Sequence, residues 1–327
     1  MPGPERASAL QVVQLGVEAT PGTAVAANRY LSAITSAQLT PKPAIDVSKL
    51  SIGGRWATFA VQGFEFSELA LGGQLDYSQI AYLLAGLVSV TPTGPDAQSG
   101  YAWAFSDAQS AQGTPKTYTI QYGSADRAEQ IAYGLVTDLA ISIDNKNKSD
   151  WTAKVLGQAM TDGVSLTASP TTPELVVANP IDWKVYLDTT PAAIGTTQLT
   201  RAFALDWGIT GHWAQVFGLG QRGPVSHVAP APKGKVDLTL EADAAGMGFL
   251  TQMRAGQTVY LRAQATGPAI GTETYLATVD VACKIDTVGA LAPDGDVLAV
   301  KYSATPTYDA TLAKAWSITL LDKLASL

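Results

Sequence analysis

The chain has 327 residues, a formal net charge of −7 and 46% hydrophobic residues, so it can bury sizeable cores, and its length gives two domains as the prior. Only 15% of the residues are charged and the 21 Lys and Arg are scattered, which excludes stable nucleic-acid binding because phosphate affinity needs clustered cations. A single cysteine, Cys283, excludes an intramolecular disulfide framework, and the longest apolar run, residues 80–88, is too short to cross a bilayer.

In chain order, residues 1–27 carry the breakers Pro2, Pro4, Pro21 and Gly22 and read as an extended arm. A short strand signal over 29–40 leads into a long Pro/Gly-punctuated connection at 41–63, of a length that is uncommon in compact domains unless functional. A strand over 64–71 follows. Asp76 then predicts the N-cap of a helix whose Ile80, Leu83, Leu84, Leu87 and Val88 share one face. The run Thr91-Pro92-Thr93-Gly94-Pro95 stops it. Strands are predicted at 101–105, 117–122 and 130–144, the last with Leu139, Ile141 and Ile143 alternating against Ala140, Ser142 and Asp144. A polar turn at 145–150 makes a hairpin with 151–160.

After a Thr/Pro/Ser-rich stretch the order restarts. Gln198-Leu199-Thr200 echoes Gln38-Leu39-Thr40, a Gly/Pro loop at 208–234 echoes 41–63, and a strand at 235–241 precedes a helix capped by Asp243 and ended by Gly256. Strands at 258–265 and 274–286 follow, with Lys284-Ile285-Asp286 echoing Ser142-Ile143-Asp144. An Asp294-Gly295 turn and strands at 297–305 and 315–321 close the chain. The expected organisation is an arm (1–27), a first domain (28–165), a linker (166–182) and a second domain (183–327), each domain mainly β with a short flanking helix and related by tandem duplication.

No catalytic constellation emerges. His212 and His227 read as surface-loop residues, and Cys283 in an alternating apolar run reads as a buried small hydrophobe. Gly218-Leu219-Gly220-Gln221-Arg222-Gly223 matches G-x-G-x-x-G, but Pro224, Pro230 and Pro232 follow where a phosphate-binding helix would have to start, so it reads as a loop. No enzyme activity, cofactor or metal is expected.

The motif order Gly16-Val17-Glu18, Pro21-Gly22-Thr23, Gly53-Gly54-Arg55, Val61-Gln62-Gly63, Gly72-Gly73, the 80–87 helix and Gly134 to Ile143 resembles the tail tube proteins of long-tailed bacteriophages. That resemblance implies small β-sandwich or barrel domains whose strands join those of neighbours into a ring-shaped β-barrel around a lumen. It implies stacked rings of three chains, with six per ring as the alternative. Further partners would be a tape measure protein in the lumen and tail terminator and tip proteins, with DNA passing transiently and no membrane anchor. The implied location is the virion tail, after synthesis in a bacterial cytoplasm. Arm and loops would contact the next ring, with Glu18, Pro21, Lys42, Asp46, Lys49, Arg55, Trp56, Trp213, Arg222 and His227 as candidate contacts. Another virion role, including the inner tube of a contractile tail, and a carbohydrate-binding or adhesin module are the alternatives.

Overall fold

The computed structural model describes residues 8–48, 55–96, 100–146 and 149–327. Strands make up 56%, against about 20–25% in an ordinary globular domain, and every pair of named strands is antiparallel. The protein is therefore mainly β, with two helices and large antiparallel sheets; no closed barrel forms among the described residues.

The first half contains β1 (Val12–Val17), β2 (Arg29–Tyr30), β3 (Ile34–Ser48), β4 (Phe59–Gln74), helix α1 (Ile80–Leu87), β5 (Val90–Asp96), β6 (Gly100–Ser106), β7 (Tyr118–Gly123), β8 (Ala128–Asp144), β9 (Ser149–Gly157) and β10 (Thr161–Val164). Strand β8 belongs to two sheets. Its first part pairs with β7 and β10, and β1 lies beyond β7. From Leu135 onward it pairs with β9, followed outward by β4 and β3. The apolar faces of both sheets and the wholly buried α1 meet in the core, with α1 against β8 and β6.

The second half contains β11 (Trp183–Asp188), β12 (Ala202–Thr210), β13 (Ala214–Phe217), β14 (Pro224–Val228), β15 (Lys233–Glu241), α2 (Ala244–Arg254), β16 (Thr258–Ile270), β17 (Glu273–Val288), β18 (Ala292–Asp294), β19 (Val297–Pro306) and β20 (Trp316–Asp322). Strand β17 pairs with β16 on one edge, and with β20 and then β19 on the other. Outward from β19 lie β15 and β12, while β11 lies beyond β16. The halves are stitched together by two ladders, β8 on β12 and β6 on β20.

Several expectations hold and several are corrected. Asp243 caps α2 by accepting from Gly246 N–H at 2.8 Å, and Gly256 ends the helix at φ 62°. Cys283 is buried in β17, and burial pushes its thiol up to about 12. Asp76 instead closes a turn just before α1, accepting from Ser78 and Gln79 N–H at 2.9 and 2.7 Å. The segment expected as an arm contains β1, a strand buried on both faces, which erases the alternation that would have revealed it. The expected connection 41–63 is mostly strand, the outer parts of β3 and β4; its residues 49–54 lie outside the described residues. The helix-stop run 91–95 forms β5. The expected linker lies against the first half: Thr167 N–H donates to Gln121 Oε1 at 2.8 Å and Val176 N–H to Asp76 Oδ2 at 2.5 Å.

Two substitutions test this core. A Cβ at Gly86, in α1, would sit 2.6 Å from Val136 Cγ2 and 2.9 Å from Tyr118 Cε2. Alanine gains about 1 kcal/mol of helix propensity, but overpacking costs about 1–3 kcal/mol, so Gly86→Ala is expected to lower the urea midpoint. Asp322 is fully buried; Leu324 N–H donates to Oδ1 at 2.7 Å, and Oδ2 is buried without a hydrogen-bond partner. Burial raises its pKa to about 7 despite that bond. Since an unfolded Asp titrates near 3.9, the folded state binds the extra proton between about 4 and 7, and stability is lost as pH rises through that window. Asp322→Asn should flatten this decline, seen as urea midpoints from pH 4 to 8; an undiminished decline would put its source elsewhere.

Candidate functional site

The sheet β3-β4-β9-β8-β12-β15-β19 has one apolar and one polar face. Leu69, Leu139, Val155, Leu205, Leu238 and Tyr302 point into the core. The alternate positions, among them Ala70, Asp138, Ala140, Thr152, Asp206, Gly208 and Ser303, form a surface of small and acidic side chains. Two depressions of about 710 and 520 Å³ lie on this face. Their size suits a small molecule, but their walls are strand surface rather than converging polar groups.

Three of the lysines on this face are tied to carboxylates; Lys233, beside the second depression, and Lys42 of β3 lie on it as well. Lys154 meets Glu68 at 2.9 Å, and Asp237 receives both Lys235 (2.8 Å) and Lys301 (2.9 Å). Burial raises the Asp237 pKa, yet hydrogen bonds from Lys235, Lys301 and Ser303 more than offset it and hold the carboxyl below its ordinary value. Such half-exposed pairs add little stability; their effect here is to offset the charge of Lys154, Lys235 and Lys301.

Both ends of this sheet are open. Among the described residues β3 pairs only with β4, and β18, which extends the sheet next to β19, pairs only with β19. Backbone directions follow from bonds that flank the ladders. Gln74 N–H donates to Ala33 and Leu75 N–H to Ser149, so even-numbered residues of β4 bond β3 and odd ones bond β9. With Glu68 opposite Thr40, the even residues of β3 are used by β4, and Leu39, Pro41 and Pro43 face the open side. Gly289 N–H donates to Lys301, so Ala299 bonds Ala292 and Pro293 faces outward from β18.

The sequence-predicted contacts divide. Lys42, Asp46, Arg55 and Trp56 are exposed along or beside the β3–β4 ribbon, which also exposes Ile45, Val47, Phe59 and Val61. Pro21 is exposed, and Lys49 lies outside the described residues. Arg222 is exposed but pairs with Glu65 at 2.9 Å, where the β13–β14 hairpin grips the base of the ribbon and the Phe217 ring packs tilted against Phe64, centroids 4.4 Å apart. Trp213 is not a surface contact: it is buried and donates to the Leu87 carbonyl at 2.7 Å. Nor are the histidines surface-loop residues. His212 is buried, His227 is half-buried with Nδ1 2.9 Å from the Tyr133 hydroxyl, and both rings pack edge-on against Trp213. Burial holds both below the usual histidine range, with Asp107 opposing it at His212. Residues 218–223 form the turn between β13 and β14.

Glu18 is also corrected. It is buried, and its carboxylate accepts from Gly22 N–H (2.8 Å), Thr117 hydroxyl (2.9 Å), Thr119 hydroxyl (3.0 Å) and Tyr133 N–H (2.8 Å). Tyr133 has φ 57°, a left-handed conformation that costs a non-glycine residue about 1–2 kcal/mol, and it sits where β8 passes between sheets. No sequence signal marks this role; only the fold brings residues 18, 117, 119 and 133 together.

Glu18→Gln turns one accepting oxygen into a donor facing donors, and is expected to cost about 1–3 kcal/mol in chemical denaturation of the isolated chain. Unchanged monomer stability would return Glu18 to the contact surface. Among the described residues, no group of three or more His, Cys, Asp or Glu is placed to hold a metal, and no helix is long and apolar enough to cross a membrane. No protein-family model and no curated protein matches this chain.

Proposed function

We propose that this chain is the structural subunit of a bacteriophage tail tube: two tandem β units per chain, joined edge to edge with other copies into rings that stack into a DNA conduit. The observation that carries the reading is that the two open edges of the sheet correspond, position by position, to the two sides of the β8–β12 joint inside the chain.

The correspondence comes from strand registers. Leu69 lies opposite Leu39 and Val155 in the first half, as Leu238 lies opposite Leu205 and Tyr302 in the second. Stepping along β9 and β19 then equates Thr152 with Ala299, and their partners Ala140 and Ala292 fall into register without adjustment. Under the same alignment the Glu68–Lys154 ion pair matches Asp237–Lys301, both at 2.9 Å. Strand β3 is thus the counterpart of β12, and β18 the counterpart of the joint-forming end of β8. A chain whose ends repeat its own middle joint adds head to tail, and a constant rotation closes it into a ring.

Three chains would bring about 24 strands; at about 4.8 Å per strand and a tilt near 40° the barrel is about 45–50 Å across between backbones. The polar face would line the lumen, where small side chains, and carboxylates paired with Lys154, Lys235 and Lys301, would let a duplex pass without being gripped. Closure would also cover edges that otherwise invite uncontrolled pairing. The exposed apolar ribbon of β3 and β4, with Trp56, would reach the next ring, and a tape measure protein would fill the lumen during assembly. No catalytic step or cofactor enters this function.

Electron microscopy of the concentrated chain is expected to give hollow filaments with three chains per ring in end views. Six chains per ring would place the second half outside the lumen wall, and a chain that stays monomeric at every concentration while binding glycans would replace the tube with a binding module.

A further inference from the structure

The internal joint and the open edges match in geometry but not in hydrogen-bonding capacity. Asn145 N–H donates to the Phe203 carbonyl, which fixes the parity: the odd residues Leu205, Trp207 and Ile209 of β12 face Ile143, Ile141 and Leu139 of β8 as hydrogen-bonding pairs. The counterparts of these six donors on the open edges are Leu39, Pro41 and Pro43 of β3, and Gly295, Pro293 and Leu291 at β18. Three of the six lack an N–H, and the middle pair, Pro41 opposite Pro293, would have none at all. Proline facing the open side of an edge strand is a recurrent means of suppressing edge pairing. All three prolines face outward, where they cost their own sheets no bond.

We propose that Pro41, Pro43 and Pro293 gate the joint between chains, so that the partner of these edges is a second copy of this chain held in the β8–β12 register by a ladder deliberately short of donors. This rests on the head-to-tail reading above. The joint within the chain is a full ladder and permanent; the joint between chains is weak in isolation. It persists only when ring closure or stacking adds further contacts. The free chain therefore stays dispersed, and assembly has a concentration threshold that these prolines set.

The test is sedimentation velocity over a concentration series for the wild type, Pro41→Val/Pro43→Val and Pro293→Val, with Pro232→Val, in the exposed connection before β15, as the control. Circular dichroism verifies that each monomer is folded. The edge variants are expected to assemble at a threshold at least tenfold below the wild type, with the control unchanged. A folded edge variant with an unchanged or higher threshold overturns the gate, as does a control that shifts equally. The register is tested separately with Lys42→Cys and Ala292→Cys, the counterparts of the close pair Gly208 and Ala140, whose Cα separation suits a disulfide. Cross-linked multimers on oxidation of assembled material support the joint. Their absence overturns the head-to-tail reading itself, whereas cross-links together with unmoved thresholds leave that reading standing and remove the gate alone.

Discussion

The bend in β8 is the constraint on which the two-sheet arrangement depends. A strand of this length can serve two sheets only by breaking its ladder once, and the break leaves a backbone N–H in need of an acceptor inside the protein. Glu18 supplies it. Its carboxylate takes the Tyr133 N–H together with three further donors, from Gly22, Thr117 and Thr119. Hydrogen bonds to a charged acceptor contribute about 1.5–3 kcal/mol each, which outweighs the left-handed strain at Tyr133. One buried side chain thereby ties β1, the end of β7 and the turn of β8 into a single corner.

Beyond that corner β8 has both edges occupied, by β9 and by β12. The two halves of the chain therefore share a continuous sheet rather than a surface contact. The second ladder, β6 on β20, and the β13–β14 hairpin packed on the first half lock the same relation from other sides. Among the described residues no further ladder covers the outer edges at β3 and β18. The contrast between a thrice-secured internal joint and two sparse outer edges gives the molecule a direction, with a donor-poor edge at each end.

Much of the fold was legible from local chemistry. The alternation over Leu139 to Asp144 announced a strand with one buried face, Asp243 and Gly256 bracketed α2, and Asp294-Gly295 marked the β18–β19 turn, where Gly295 takes φ 64°. These signals are local, because each depends on a few neighbouring residues. What failed depended on distant partners. Strand β1 hides because both its faces are covered. Pro41 and Pro43 look like breakers but sit harmlessly on an open edge. Trp213 and the two histidines look like loop residues but fill the seam between the halves.

The proposed internal repeat shows the same division. The order of elements led to the expectation of a repeat, but the sequence echoes and the strand registers align the two halves differently. Gln38-Leu39-Thr40 resembles Gln198-Leu199-Thr200, whereas the registers match Leu39 to Leu205; Ser142 resembles Lys284, whereas it pairs in the position of Asp294. The sequence by itself determined a β-rich chain of low charge, two helices, tight turns and basic residues scattered along the chain, since composition and short-range periodicity suffice for these. Only the tertiary structure decided which strands are neighbours, which carboxylate is buried at the bend and which edges remain open, because hydrogen-bond pairing between strands links residues that no local pattern connects.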